Sequence, residues 1–404
     1  ERMERCPDQW FRYLWPAQQR AALARLAVYV NAHQDDVVFV SNATAGAKGS
    51  PLAALDVLCR DAGVNAVMRT EGMLRKGQTS LEKIDPEGTM SLRLLYCDKV
   101  LLLSTAYGMT RRLVNYLEKH LEVEQHIVNI RWPLDQDELV EDVETAFKKH
   151  GPFKLATFSH ITSLPACILP VKRLVELCRK FSVLSLIDGA HAAGQTPLNL
   201  KELNPDFYVT NLHKWCFSPR ACALLYVRRE LHAHVHPTVI SWGYDDGFQA
   251  EFGNLGTLNM ANAATTPAML AFREKLGDEK IMHYMHELAV RAGTEVARIW
   301  GTHVLQSGDE QIGAMVDVRA PSDHPAAMAY VVERLLLSHR TYMPLYVLDG
   351  RCFVRLSAQI YNELEDFTRV ATHALILLQQ YSEPDVNNAI AYNKVDGVLK
   401  PGLF

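Results

Sequence analysis

The residue best suited to chemistry is Lys214, in the run TNLHKW (210–215), which directly follows the apolar residues 207–209. A lysine at the end of a buried segment is costly as an ammonium ion, so desolvation lowers the pKa of its amine. A neutral amine can form an imine with an aldehyde and can later accept a proton from a substrate carbon. The neighbouring Asn211 and His213 carry donors that suit a phosphate group. A lone lysine is ordinarily a solvated surface charge, so a second signal is needed.

Asp188 supplies that signal in the run IDGAH (187–191), 26 residues before Lys214 and again after an apolar run. A carboxylate at the end of a buried strand is costly unless a cation pairs with it. The protonated pyridine nitrogen of pyridoxal 5′-phosphate (PLP) is such a cation, and its protonation makes the ring an electron sink. An Asp that caps the following turn is the competing interpretation. The two motifs together predict a PLP site.

Three further segments fit such a site. Residues 41–46 (SNATAG) lie at a predicted strand-to-helix junction, where small residues let backbone N–H groups approach a phosphate. Tyr107 follows a predicted strand, and its ring can stack on a pyridine or pack in the core. Arg355 lies in the apolar run FVRLS (353–357), where capture of an amino-acid carboxylate and a structural ion pair are the two explanations.

The elements that must position these residues alternate between strand and helix. Apolar runs predict strands at 36–40, 99–103, 126–130, 154–158, 183–187, 207–209 and 223–227. Helical spacing predicts helices at 110–120, 135–150 and 170–181. This order predicts an α/β fold whose large domain has a mostly parallel sheet covered by helices on both faces. Ligands bind beyond the carboxyl ends of such strands, and the candidate residues that follow strand-like runs are Asn42, Ala43, Thr44, Tyr107, His160, Asp188 and Lys214.

Four parts of the chain are predicted. They are an N-terminal helical segment (1–30), a large PLP-binding domain (31–260) with a polar insertion at about 63–91, a connecting helix with a smaller C-terminal α/β domain (261–381), and a tail (382–404). The connecting helix is predicted over 261–300, and the small domain is predicted to contain strands at 315–318 and 352–356. The tail reads as a loop.

Composition narrows the class of protein. The chain has 404 residues, with 48% hydrophobic and 22% charged, which is typical of a globular protein. A net charge of −4 and the lack of a long apolar run argue against nucleic-acid and membrane partners. Eight cysteines with no C-x-x-C pair predict reduced, buried thiols. A cytoplasmic setting is the default expectation, and an organelle is the alternative because the chain does not begin with Met.

Two other kinds of site were considered. His232, His234 and His236 alternate as they would on one face of a strand, but they lack a matching acidic or Cys partner, so no metal site is predicted. The G-x-G-x-x-G fingerprint of dinucleotide-binding folds is absent, which argues against an NAD enzyme.

Taken together, these motifs resemble fold-type I PLP enzymes of the class V aminotransferase-like family. The resemblance is to the branch that includes isopenicillin N epimerase, cysteine desulfhydrases and the C–S lyases of ergothioneine biosynthesis. The matching segments are 38–44, 104–108, 188–191, 210–215, 256–257 and 355–361. Three features depart from the family pattern. Ala221 and Asn259 stand where the family usually has Gly and Asp, and the chain starts after an Asn-His-Gly-Ser-like segment.

The resemblance implies a role for each candidate residue. Lys214 holds PLP as an aldimine, Asp188 pairs with the pyridine nitrogen, and His191 lies near the phenolic oxygen. The catalytic set is Lys214 with Tyr107, which stacks on the ring, and His160, near the cofactor face. The phosphate contacts come from Ala43, Thr44, Asn211 and His213, together with Gly256 and Thr257 of a neighbouring subunit, which implies a homodimer with shared active sites. Arg355 takes the carboxylate of a small amino-acid substrate.

The leading functional hypothesis is a PLP-dependent lyase that cleaves a C–S bond of a cysteine-derived amino acid or its sulfoxide. Lys214 would remove the α-proton, and the β-sulfur group would leave. An epimerase or aminotransferase shares that first proton abstraction and stays open as the alternative. A catalytically silent PLP-binding protein is the hypothesis from another class.

Overall fold

A seven-stranded sheet forms the core of the larger part of the chain. The computed structural model describes residues 2–49, 98–256, 258–382, 392–395 and 398–401. The strands are β1 (Val37–Val40), β2 (Lys99–Leu103), β3 (Glu124–Val128), β4 (Leu155–Ser159), β5 (Leu184–Asp188), β6 (Phe207–Asn211) and β7 (Ala223–Val227). Their order across the sheet is β1-β7-β6-β5-β4-β2-β3. The insertion predicted at about 63–91 and Thr257 lie outside the described residues.

The direction of the strands decides where the candidate residues meet. Neighbouring strands from β3 to β6 pair in parallel, whereas β7 is antiparallel to both β6 and β1. Strand β1 therefore runs in the same direction as β2 to β6, and the six carboxyl ends lie at one edge. The mostly parallel sheet is confirmed, and its edge gathers the segments that the sequence placed after strands.

Helices cover both faces of this sheet. They are α1 (Arg2–Arg5), α2 (Pro7–Gln9), α3 (Trp15–Tyr29), α4 (Ala43–Gly49), α5 (Gly108–Leu121), α6 (Gln136–His150), α7 (Val171–Lys180), α8 (Leu200–Leu203), α9 (Leu212–Trp215) and α10 (Phe248–Gly253), with a π-helical turn at Trp10–Leu14. Leu101 and Leu103 lie in one apolar cluster, and Val100 and Leu102 lie in another. Strand side chains alternate between faces, so both faces of the sheet are buried.

A second, antiparallel sheet forms the smaller C-terminal part. Its strands are β8 (Met315–Arg319), β9 (Leu345–Leu348), β10 (Arg351–Ser357), β11 (Tyr392–Val395) and β12 (Val398–Pro401), in the order β11-β12-β9-β10-β8. The helices packed beside it are α13 (Asp278–Trp300), α14 (Pro325–His339) and α15 (Leu364–Gln380). Strands β8 and β10 were predicted, and β9 was missed. The loop-like tail was wrong for β11 and β12, which form a hairpin.

Three local predictions need correction. The single helix over 261–300 is three helices, α11 (Ala261–Ala264), α12 (Thr266–Leu276) and α13. The chain breaks between α12 and α13 because Gly277 adopts a φ of 86°, which no α-helix allows. The strand expected at 126–130 is β3, which begins two residues earlier. His232 and His234 lie in a 3-10 helix (Arg229–His234), so the histidines do not alternate along a strand.

The findings on membrane spans, metal sites and cysteines apply to the described residues alone. Within them, no helix is long and apolar enough to cross a membrane. The same residues contain no group of three or more His, Cys, Asp or Glu side chains that could hold a metal ion. Six of the eight cysteines are described, and all six are free thiols; five are buried and Cys6 is exposed.

Candidate active site

Three strand ends place Lys214, Asp188 and His160 next to one another. Asp188 is the last residue of β5 and is in register with Ser159 of β4 and Val209 of β6. The backbone N–H of His160 donates to the carbonyl of Asp188 at 2.9 Å. Lys214 lies on the short helix α9, directly after β6. Adjacent parallel strands therefore bring together side chains that lie far apart in the sequence.

The amine of Lys214 contacts the imidazole of His191. Their Nζ and Nε2 atoms are 3.0 Å apart. Burial lowers the pKa of Lys214 to about 8, although Asp188 works in the opposite direction. Burial also lowers the pKa of His191 well below its ordinary value. A group with a pKa of about 8 is roughly one-tenth neutral at pH 7, so an appreciable share of Lys214 is nucleophilic there.

Asp188 is a half-buried carboxylate that has no cation in contact among the described residues. Its Oδ1 accepts from the backbone N–H of Ala190 at 3.0 Å, and no ion pair joins it to any residue in the described ranges. Burial raises its pKa, and the Ala190 hydrogen bond and the charge of Lys214 lower it. A cationic N–H donor would supply the missing partner. The site therefore fits the protonated pyridine nitrogen of PLP.

The loop after β1 is tied to the end of β6. The side-chain oxygen of Asn211 accepts from the backbone N–H of Ala43 at 2.8 Å. The Ala43 N–H is therefore already bonded, and the amide NH2 of Asn211 is the donor left for a phosphate. The Nδ1 of His213 lies 2.8 Å from the carbonyl oxygen of Cys222 and 3.2 Å from its backbone nitrogen, and Nε2 is left for a ligand. Thr44, the second residue of α4, is half-buried at the same loop.

His160 and Tyr107 border this cluster. The Nδ1 of His160 is 2.8 Å from the hydroxyl of Tyr208, and burial lowers the pKa of His160 to about 4. The ring of His160 is therefore neutral at physiological pH. Tyr107 precedes α5 directly and is 45% exposed. Its ring is consequently accessible from solvent, and its stacking on a flat ligand stays a prediction.

Arg355 extends from the small domain. Its Nη1 donates to the carbonyl of Ser163 at 2.8 Å and to the hydroxyl of Ser163 at 3.1 Å. Its Nε is buried and has no partner among the described residues. Asp317 is the register partner of Arg355 on β8, without an ion-pair contact between them. Burial lowers the pKa of Arg355. Arg355 also lines a cleft of about 420 Å³ with Tyr342 and Tyr361.

The structure does not bring Gly256 to this cluster. Gly256 is exposed, with a φ of 98°, and lines a groove of about 780 Å³ with residues such as Trp15, Arg20 and Trp242. None of the other candidate site residues lines that groove.

Sequence reasoning missed several residues that hold the site. Gln195 donates to the carbonyl of His191 at 2.6 Å and accepts from the backbone N–H of Ala314, which links the two parts of the chain. Arg273 donates to the carbonyl of Trp215 at 2.8 Å. Trp215 was part of a quoted motif, but its indole had no assigned role. No sequence signal points to Arg273 or to the contact of Gln195 with Ala314, because those partners are distant in sequence.

Comparisons with known proteins agree with this geometry. A family model described as "Aminotransferase class-V" matches residues 118–370. Hercynylcysteine sulfoxide lyase of Schizosaccharomyces pombe is 28% identical over 285 residues, which cover 68% of this chain and 71% of that protein. The probable chloroplastic L-cysteine desulfhydrase of Arabidopsis thaliana is 29% identical over 403 residues, covering 91% and 76%. The solved structure of the cystine C–S lyase C-DES with cysteine persulfide shares the fold, with a TM-score of 0.68 and 18% identity over 89% of this chain and 86% of that one.

Proposed function

The chain belongs to the aminotransferase class-V family, and from that premise we propose that it is a PLP-dependent lyase. Its substrate would be a cysteine-derived amino acid or the sulfoxide of one, and the bond cleaved would be the C–S bond. The observation that carries the proposal is that the half-buried amine of Lys214 and the half-buried carboxylate of Asp188, which has no ion-pair contact among the described residues, lie at one sheet edge and each shift the pKa of the other. The names of the two similar curated proteins, a sulfoxide lyase and a probable desulfhydrase, support the choice of bond.

Five side chains would hold the cofactor. Asp188 would accept from the pyridine nitrogen, and Tyr107 would cover one face of the ring. Asn211, His213 and Thr44 would donate to the phosphate. The unused donors are the amide of Asn211 and, in the tautomer whose Nδ1 accepts from the backbone N–H of Cys222, the Nε2–H of His213. When bound, PLP supplies an electron sink that acidifies the α-proton of the substrate.

Lys214 would act as the base. Its amine accepts the α-proton, and the β-carbon–sulfur bond then breaks with its electron pair leaving on sulfur. Hydrolysis of the remaining three-carbon unit yields pyruvate and ammonia. The low pKa of about 8 keeps part of the amine unprotonated for this step. His160, neutral and fixed by Tyr208, would line the face of the site without adding charge.

Arg355 would bind the substrate carboxylate. Its guanidinium is held at one end by Ser163, and its buried Nε lacks a partner among the described residues. A carboxylate that accepts from Nε and a terminal nitrogen would satisfy this donor in a bidentate pair. Arg355 is close enough to Lys214 to lower its pKa, so a substrate held there by its carboxylate would lie in the same site as the amine.

A homodimer with shared active sites would complete the phosphate contacts. Gly256 lies away from the Lys214 cluster of its own chain, in a groove whose rim includes Trp242, which is 89% exposed. An exposed aromatic beside an open groove favours a protein contact there. Gly256 and Thr257 would then reach the neighbouring subunit.

The expected setting is a reducing compartment such as the cytoplasm, since the six described cysteines are free thiols.

A substrate panel tests the proposed activity. Purified full-length chain is loaded with PLP and mixed with L-cysteine, cysteine S-conjugates and their sulfoxides, and pyruvate and ammonia are assayed. We expect release from at least one sulfur substrate, and loss of release in Lys214→Ala. Lys201→Ala, which changes an exposed lysine, is the matched control. Silence on every sulfur substrate, with α-proton exchange on another amino acid, would instead establish the epimerase or aminotransferase. Absence of PLP uptake would refute the cofactor assignment.

A further inference from the structure

The indole of Trp215 contacts the imidazole that touches the amine of Lys214. We propose that Trp215 is a positioning residue that fixes the tautomer of His191, so that His191 presents an Nε2–H group to the amine of Lys214. This inference rests on the proposed function, because it takes Lys214 as the reacting amine. It assigns a role to a side chain that the proposed mechanism leaves unused.

The tautomer follows from donor and acceptor chemistry. The Nε1–H of Trp215 lies 3.2 Å from Nδ1 of His191, and an indole N–H can only donate. The Nδ1 atom must therefore carry a lone pair. A neutral imidazole has one proton, which must then lie on Nε2, 3.0 Å from Nζ of Lys214. A lysine that accepts this proton in a hydrogen bond must be the unprotonated amine.

Both rings are buried, and the backbone that carries each of them is held by a hydrogen bond. Arg273 is 1% exposed and donates to the backbone carbonyl of Trp215 at 2.8 Å. Gln195 donates to the backbone carbonyl of His191 at 2.6 Å. Trp215 itself is 5% exposed. Neither ring can readily turn away, so the indole imposes one tautomer on His191 instead of adapting to it.

The charged groups around Lys214 act in opposite directions, so its contact with His191 decides the protonation state of its amine. Asp188 at the end of β5 favours the ammonium form, and Arg355 on β10 disfavours it. His213 on the same short helix is turned to the backbone of Cys222. In the described part of the chain, His191 is the one side chain within hydrogen-bond distance of Nζ. An ammonium at Nζ would therefore face the Nε2–H group of His191, and two N–H donors cannot form a hydrogen bond with each other.

Trp215→Phe removes the indole N–H and keeps an aromatic ring. His191 can then carry its proton on Nδ1 and accept from the ammonium of Lys214 through Nε2. The ammonium then gains a hydrogen bond from its own N–H to Nε2 and no longer faces the Nε2–H group. Together these changes correspond to a rise of about one unit in the pH midpoint of the amine. The neutral fraction at pH 7 falls about tenfold, and it recovers at higher pH.

The tautomer can be read directly in the full chain after its cofactor has been removed. The ring nitrogens of ¹⁵N-imidazole-labelled histidine have different shifts when protonated and unprotonated, and the signal that disappears in His191→Gln identifies the residue. We expect a protonated Nε2 and an unprotonated Nδ1 in the wild type, and a mixture in Trp215→Phe. Trp300→Phe, which loses an indole N–H bond to the carbonyl of Ala371, is the matched control. A wild-type His191 protonated on Nδ1 overturns the proposal, even where the variant fails to fold.

The amine is tested by its rate of reaction. Full-length chain is mixed with PLP at a series of pH values, the product is trapped with borohydride, and labelling at Lys214 is quantified by peptide mass spectrometry. We expect the midpoint of the profile to rise by about one unit in Trp215→Phe and to stay in place in Trp300→Phe. A rate that falls equally at every pH would mean that Trp215 only packs, and would overturn the proposal. Neither measurement needs turnover, so an absent lyase activity would refute the proposed function alone.

Discussion

Arg273 and Arg355 are two arginines placed beside the same candidate site, and their surroundings differ in kind. Arg273 is saturated in the sense that each of its three guanidinium nitrogens forms a hydrogen bond. The acceptors are Asp278 and the carbonyls of Trp215 and Gly194, and the guanidinium lies over the ring of Phe217. Arg355 has Ser163 at one end and a buried Nε without a partner in the described part of the chain. Buried cations are costly unless fully paired. The first arginine therefore serves the fold, whereas the second has a free donor for the anion that we propose it binds.

The largest effect should come from removing the saturated arginine. Arg273→Leu leaves the carbonyls of Trp215 and Gly194 and the carboxylate of Asp278 without their donor. Breaking a buried pair of this kind costs about 3–5 kcal/mol of the free energy of unfolding. Urea unfolding measures the change. Arg298→Leu, which removes an exposed arginine paired with Glu295, should change stability little. Equal losses in the two variants would contradict the structural role of Arg273.

Arg355→Met should act on the substrate. Two charge-assisted hydrogen bonds are lost, so kcat/KM for a sulfur amino acid should fall about 100-fold. The free energy of unfolding should hold or rise, because an incompletely paired buried cation is replaced by a thioether. Cysteamine, which lacks the carboxylate, is the control substrate, and its turnover should be nearly the same in both proteins. A loss of stability as large as that of Arg273→Leu would erase the contrast between the two arginines.

The titration of Asp317 makes the stability of the protein depend on pH on the Arg355 side of the contrast between the two arginines. It is fully buried opposite Arg355, its Oδ1 has no partner among the described residues, and burial raises its pKa to about 7. The unfolded carboxyl titrates near 4, so the folded state holds its proton longer. Its contribution to stability is full below about pH 4 and is lost as pH rises through about 7.

Asp317→Asn should remove this dependence. Between pH 5 and 7 the wild-type free energy of unfolding should fall by an extra amount on the order of 2 kcal/mol relative to the variant. Asparagine can still accept from the backbone N–H of Ala166, so the fold should persist. Urea unfolding across this pH range gives the comparison, and parallel curves for the two proteins would rule out the titration of Asp317.

The sequence predicted the half of the site that rests on the parallel sheet. Strands β2 and β7 match their predicted bounds, because strands buried on both faces read as continuous apolar runs. Parallel topology then brings Asp188, His160 and Lys214 to one edge without further information. The hairpin of β11 (YNKV) and β12 (VLKP) in the small antiparallel sheet mixes apolar with polar residues, so no apolar run marks it, whereas β9 (LYVL) is a four-residue apolar run that was missed.

The saturated arginine could not be predicted in the same way. Arg273 lies in α12, 58 residues after the Trp215 carbonyl that it binds, and nothing local marks it as buried. The break at Gly277 places Asp278 at the start of α13, beside Arg273, and the prediction of one continuous helix concealed that arrangement. Contacts set by packing across elements leave no periodic trace in the sequence. Arg355 was found only because an arginine inside an apolar strand needs a reason.

The smallest effect concerns the backbone conformation of Ala221, a position that serves the fold, as Arg273 does. Ala221, in the turn before β7, has a φ of 63°, a left-handed conformation that costs a residue with a Cβ about 1 kcal/mol. It stands where the resemblance expects Gly and precedes Cys222, which binds His213. Ala221→Gly should therefore raise the free energy of unfolding by about 1 kcal/mol. Asn204→Gly, at a φ of 48°, is the control and should gain less, because Asn tolerates this region. The kcat/KM set by Arg355 should stay unchanged, so a variant that altered it would show that strain in this turn reaches the substrate.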